Sequence, residues 1–140
     1  MANKKDLSLI ILTYKNKVLL RLHSSNPLSL SSQANAKDNI WSFLNVSREK
    51  NNTLKSSILS KVERETGIKL TGATLLLDTE IDDRKKRFFH AELNDNNVNE
   101  MHREEGETLH FFAIKELNDL RFTKSTKYFL EENSSMIQSL

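Results

Sequence analysis

Lys61, Arg64 and Glu65 stand three and four residues apart in the run Lys61-Val-Glu-Arg-Glu65. On an α-helix that spacing brings all three onto one side. An ammonium, a guanidinium and a carboxylate so placed offer two kinds of chemistry. The cations can hold a phosphate, Arg as a planar fork and Lys as a point charge, whereas a magnesium ion would need several oxygen ligands in octahedral array. Two cations there favour the phosphate, because each repels a metal ion by about 1 kcal/mol even in water. Lys61 and Glu65 also form a natural i, i+4 ion pair, which contributes a few tenths of a kcal/mol, roughly. Glu63 lies about 200° around the helix from Lys61 and points elsewhere.

The helix that positions them is written in the flanking residues. Thr53 is a good N-cap, its hydroxyl able to accept from a first-turn amide. Gly67 can take the left-handed conformation that ends a helix, and Ile68 can fold back on the last turn. Between them Leu54, Ile58, Val62 and Leu59 recur at helical spacing, so the helix buries one side and shows Lys61, Arg64 and Glu65 on another.

The rest of the chain supplies a sheet for that helix. Leu7 to Thr13 is nearly all apolar and Val18 to Leu22 resumes the pattern after Tyr14-Lys-Asn-Lys17, which predicts two strands joined by a tight turn, the first covered on both faces. Residues 24 to 39, rich in Ser, Asn and Ala and holding the only proline, Pro27, read as a long loop. Ile40 to Phe43 is a short strand and Ser47 to Asn52 a polar loop. Thr71 to Glu80 and Arg87 to Leu93 form a hairpin around the charged turn Asp82-Asp-Arg-Lys-Lys86, which is a soluble turn before it is a basic patch. Asn94 to Gly106 is a polar loop, acidic at Glu104 and Glu105. A strand over Thr108 to Ile114, a helical turn over Lys115 to Leu120 and a helix from Thr123 to about Gln138 complete the chain. This order predicts an α/β (α+β) protein, a three-layer α/β/α sandwich on a mixed sheet.

Composition narrows the classes. At 140 residues the chain fits one domain, 1–140. The hydrophobic share is 37% and the charged share 29%, as in a folded soluble domain. A net charge of +2 and a pI near 8.8, with Lys and Arg dispersed, indicate no DNA or RNA partner. With no cysteine, disulfides, thiolate zinc sites and a Cys nucleophile are excluded together. The basic-then-apolar start lacks a cleavage site and reads as a buried strand of a cytoplasmic protein. No apolar stretch approaches the length of a membrane span. His23, His90, His102 and His110 are too scattered for a metal spacing.

The stretch Asn39 to Lys69 resembles the Nudix box, the loop-helix-loop of the Nudix hydrolase superfamily: Gly, five residues, Glu, seven residues, Arg-Glu, an aliphatic, any residue, Glu-Glu, any residue, Gly, an aliphatic. Anchored on Gly67 and Ile68, the pattern places Val62 at the inner aliphatic and Glu65 at the second of the paired glutamates. Trp41 and Phe43 match the aromatic pair of the preceding strand. The strand order, with Leu109-His-Phe-Phe112 and Glu116-Leu117 near the end, is similar to the family's over roughly Leu7 to Leu130. The polar half of the pattern departs. Leu44, Asn45 and Val46 replace the expected Pro and two glycines, Asn52 the early Glu, Ser60-Lys61 the Arg-Glu pair, and Arg64 the first paired glutamate.

The resemblance implies a Nudix-like fold with a degenerate metal box. Glu65 is the surviving box acid and hence the candidate catalytic residue; Lys61 and Arg64, with Trp41 as a base-stacking platform or a core residue, are candidate ligand-binding residues. No metal is expected. Should the hydrolase reaction be retained, Mg²⁺ or Mn²⁺ would be held by Glu65 with Glu104 and Glu105, Glu49 and Glu107 being further acids within reach. The expected function is a non-catalytic or regulatory module for a nucleotide-like or phosphorylated small molecule, with an active hydrolase of nucleoside diphosphate-linked compounds as the alternative and a structural subunit as the third. A homodimer is a family expectation.

Overall fold

The computed structural model describes residues 6–25, 39–47, 53–101 and 109–138. Its strands are β1 (Leu7–Tyr14), β2 (Lys17–Ser25), β3 (Asn39–Ser42), β4 (Leu44–Ser47), β5 (Thr74–Ile81), β6 (Arg84–Glu92), β7 (Leu109–Ala113) and β8 (Arg121–Phe122). The helices are α1 (Leu54–Thr66), α2 (Asp95–Glu100), α3 (Lys124–Glu132) and α4 (Ser134–Gln138), with a 3-10 segment over Ile114–Asp119. One mixed sheet runs β5-β6-β1-β2-β3-β8, with β4 added to β1 and β7 to β2.

β1 is the centre. Every residue from Leu7 to Thr13 is buried, as an apolar run without alternation demands of a strand covered on both faces. It pairs parallel with β6 along its length and antiparallel with β4, and it meets β2 at the hairpin end, where Thr13 faces Val18. Lys15 and Asn16 make the turn with φ of 47° and 63°. Beyond that turn β1 and β2 part, and the chain from Asn39 to Ser47 fills the fork: β3 pairs with β2 and β4 with β1. Phe43 sits at the bend, fully buried. Its amide donates to Thr126 Oγ1 at 3.1 Å, and its carbonyl accepts from Asn45 Nδ2 at 2.9 Å.

Two cores result. On one face Ile10, Leu12, Leu19 and Leu44 meet Ile58 and Val62 of α1. On the other Leu9, Ile11, Leu20, Trp41, Phe43 and Phe88 meet Phe129 of α3 and Ile137 of α4. The α/β/α layering is therefore present. Phe129 anchors the second core, stacked on Phe88 at 4.9 Å and edge-on to Phe43 at 5.9 Å. Nearby, buried Lys86 donates to Ser125 Oγ at 2.5 Å, joining β6 to α3.

Several boundaries differ from expectation. Leu44 to Ser47 is a strand because the fork leaves β1 an open edge there, and the rest of the expected 47–52 loop lies outside the described residues. β2 continues through Ser25, and 26–38 also lie outside them. The stretch from Asn94, expected as a loop, holds α2: Asn94 Oδ1 accepts from the Asn97 amide at 2.8 Å and Asn97 Oδ1 from the Asn94 amide at 3.0 Å, a capping box built from two asparagines. The last helix breaks at Asn133, whose φ of −132° and ψ of 33° leave the helical region. At the β5–β6 tip Asp82 and Asp83 take φ of 55° and 63°, so a tight turn replaces the longer one expected. Lys124 closes on Asp82 at 2.6 Å, as a surface pair.

Two outcomes are expected. Phe129→Ala removes a ring packed on two others and should lower stability by about 3–5 kcal/mol in urea unfolding. His90, half buried with Nε2 2.8 Å from Thr13 Oγ1, has its pKa held below the usual 6.5 by burial, against the opposing pull of Glu92. The unfolded ring takes up a proton that the folded ring resists, so its contribution is intact above the unfolded pKa and is lost as pH falls through 6.5 toward the folded value. Unfolding midpoints measured across that window should fall less steeply in His90→Gln.

Candidate functional site

Helix α1 forms as its sequence dictates. Thr53, with φ of −77° and ψ of 164°, accepts from the Ser56 amide at 3.0 Å. Gly67, with φ of 82°, ends the helix and donates to Glu63 O at 2.8 Å. Thr66 closes the last turn through its hydroxyl, donating to Val62 O at 2.7 Å and accepting from the Ile68 amide at 3.0 Å. At the other end Ser8 Oγ donates to Leu54 O at 2.6 Å and ties the helix to β1.

The inner stripe of α1 is Leu54, Ile58, Val62 and Glu65. Glu65 is expected to face solvent beside Arg64; instead it is buried, 4% exposed. The spacing itself held the signal, since position 65 lies three residues after Val62 and so falls beneath the stripe. Arg64 is exposed and Lys61 intermediate, so the three residues share a neighbourhood but point to different depths.

A buried carboxylate needs neighbours that offset its lost hydration. Lys61 Nζ lies 2.6 Å from Glu65 Oε1, and Arg21 Nε, from β2, lies 3.9 Å from Oε2. Sequence reasoning passed over Arg21. Its signal was strand alternation: Leu20 and Leu22 face the α3 side, which turns Arg21 toward α1. The ion pairs offset the carboxylate's charge, and among the described residues neither of its oxygens has a further hydrogen-bond partner. Ser42, which pairs with Arg21 in register, likewise has a buried hydroxyl without a partner among the described residues. The Lys61 and Arg21 side chains remain 24% and 29% exposed, whereas the Glu65 side chain they accompany is 5% exposed.

A magnesium ion does not fit the donors described. One carboxylate capped by two cations cannot supply the oxygen shell such an ion demands, and among the described residues no three His, Asp or Glu side chains gather as a metal group. Glu49, Glu104, Glu105 and Glu107 lie outside the described residues. Trp41 is not brought to this site. It is 3% exposed on the opposite face of the sheet, its ring edge-on to Phe112 at 4.9 Å and to His110 at 5.4 Å.

No family sequence model matches the chain, and no curated protein sequence matches it. Solved structures do. A structure from work on MutT of the fish pathogen Aliivibrio salmonicida and of Vibrio cholerae superposes with a TM-score of 0.72 at 15% identity, covering 97% of this chain and 98% of that one. A MutT/Nudix family protein from Listeria innocua gives 0.72 at 15% identity over 99% and 97%. A Nudix family hydrolase from Clostridium perfringens gives 0.65 at 17% identity over 99% of both. The chain therefore has the Nudix fold.

Lys61→Met would leave the Glu65 carboxylate with Arg21 alone. Because Lys61 is partly exposed, the expected loss is about 1–3 kcal/mol, below that of a fully buried pair. Adding Glu65→Gln should restore part of it, and this non-additivity is read from denaturant midpoints of the two single variants and the double variant.

Proposed function

We propose that this protein uses the Nudix fold to bind a phosphate-bearing, nucleotide-like small molecule without a metal, as a binding or regulatory module that does not hydrolyse its ligand. The supporting observation is the burial of Glu65 beneath Lys61 and Arg21. In this reading Glu65 is a positioning residue. It holds Lys61 and Arg21 at fixed depth, and these two partly exposed side chains, with Arg64 at the outer surface, donate charge-assisted hydrogen bonds to phosphate oxygens.

A nucleotide panel in a thermal-shift experiment tests this. With chelator present, at least one nucleotide or nucleotide sugar should raise the melting temperature, and Arg64→Ala should weaken its binding by about tenfold, the equivalent of one charge-assisted contact. Failure of every ligand to shift the transition would point to a structural subunit instead.

One observation favours a second reading: superposition over 92% and 99% of this chain on proteins described as Nudix hydrolases. An active enzyme would cleave nucleoside diphosphate-linked compounds, with Mg²⁺ or Mn²⁺ held by Glu65 and acids of the 102–108 segment. Phosphate release over nucleoside triphosphates, dinucleotides and nucleotide sugars separates the two. Robust metal-dependent turnover that disappears in Glu65→Gln establishes the enzyme and rejects the binding module. No described helix is long and apolar enough to cross a membrane, and a cytoplasmic location belongs to the proposal.

A further inference from the structure

On the face of the sheet away from α1, a cleft of about 1240 Å³ opens among the 3-10 segment Ile114–Asp119, β8, α3 and α4. Small-molecule sites usually measure roughly 300–1,000 Å³, so the space is ample. Its floor is aliphatic but for one ring: Ile114, Leu117, Leu120, Phe122, Leu130 and Ile137. Leu117 and Ile137 are buried, whereas the other four are only half-buried and keep apolar surface in water. Covering that surface is favourable, because apolar area is removed from water.

The rim has a different character. Among the described residues Lys115, Arg121 and Lys127 line it against one acid, Glu131, three cations less one anion, for a net +2. Lys127 meets Glu131 at 3.8 Å with both side chains largely exposed, a pair weak enough to open for another anion. An apolar floor under a basic rim is the complement of an amphipathic anion. We propose that this cleft binds a medium- or long-chain carboxylate, its acyl chain along the aliphatic floor and its head group at Lys115, Arg121 and Lys127. The cleft and the Glu65 cluster lie on opposite faces of the sheet, so neither reading rests on the other.

Titration of the full chain, ¹⁵N-labelled, with dodecanoate below its micelle concentration tests the proposal. Saturable shifts of the Leu117, Leu120, Phe122 and Leu130 amides are expected, with those of Lys61 and Glu65 unmoved. The double charge reversal Lys115→Glu with Arg121→Glu should weaken binding by about tenfold, since both positions are exposed and each charge contributes modestly. Dodecanol, which has the chain without the charge, should bind more weakly to the unaltered protein, and this comparison decides the role of the rim even if the charge-reversed variant fails to fold. Leu130→Trp, which fills the cleft, should remove binding while the far-ultraviolet circular dichroism is retained. Absence of saturable binding, equal affinity for dodecanoate and dodecanol, or shifts centred on α1 would overturn it.

Discussion

The burial of β1 on both faces is the constraint from which the architecture follows. A strand with seven consecutive buried residues cannot lie at an edge or under a single layer. It must pair on both sides and be roofed above and below, and here β6 and β4 flank it while α1 and α3 cover it. Ser8, its one fully buried hydroxyl among apolar neighbours, is satisfied by the first carbonyl of α1. That bond couples the sheet's centre to the helix that carries the charged cluster.

The fork between β1 and β2 converts this constraint into a charged cluster. Because β1 and β2 separate beyond their hairpin, a bent segment centred on Phe43 can enter and pair with each in turn. Ser42 is thereby set against Arg21 in register, and Arg21 against Glu65. A carboxylate at 4% exposure is tolerated where cations stand on two sides of it. Where metal-dependent chemistry would gather several acids around a cation, the described residues here gather cations around one acid.

The two faces of the sheet are chemically distinct. The α1 face presents charge over a buried anion, and the α3 and α4 face presents apolar surface within a basic rim. Trp41 belongs to the second face because alternation along β3 turns it away from α1, so a residue suited to stacking on a base serves as packing instead.

Much of the fold was legible in the residues. Thr53 and Gly67 marked both ends of α1, and the uninterrupted run in β1 declared its burial, because capping and periodicity act over a few residues and need no distant partner. The Asn94–Asn97 capping box of α2 and the break at Asn133 were local too, but polar residues with little apolar period hide short helices. Residue identity alone set the charge balance around position 65: one acid where the Nudix pattern has more, with Lys and Arg beside it. What only the tertiary structure decided was depth and company. Arg21 and Glu65 are 44 positions apart (65 less 21), and their meeting depends on how a strand and a helix pack, which no local rule encodes. The same packing sank Glu65 into the interior and sent Trp41 to the opposite face, since burial belongs to the assembled layers and not to any one of them.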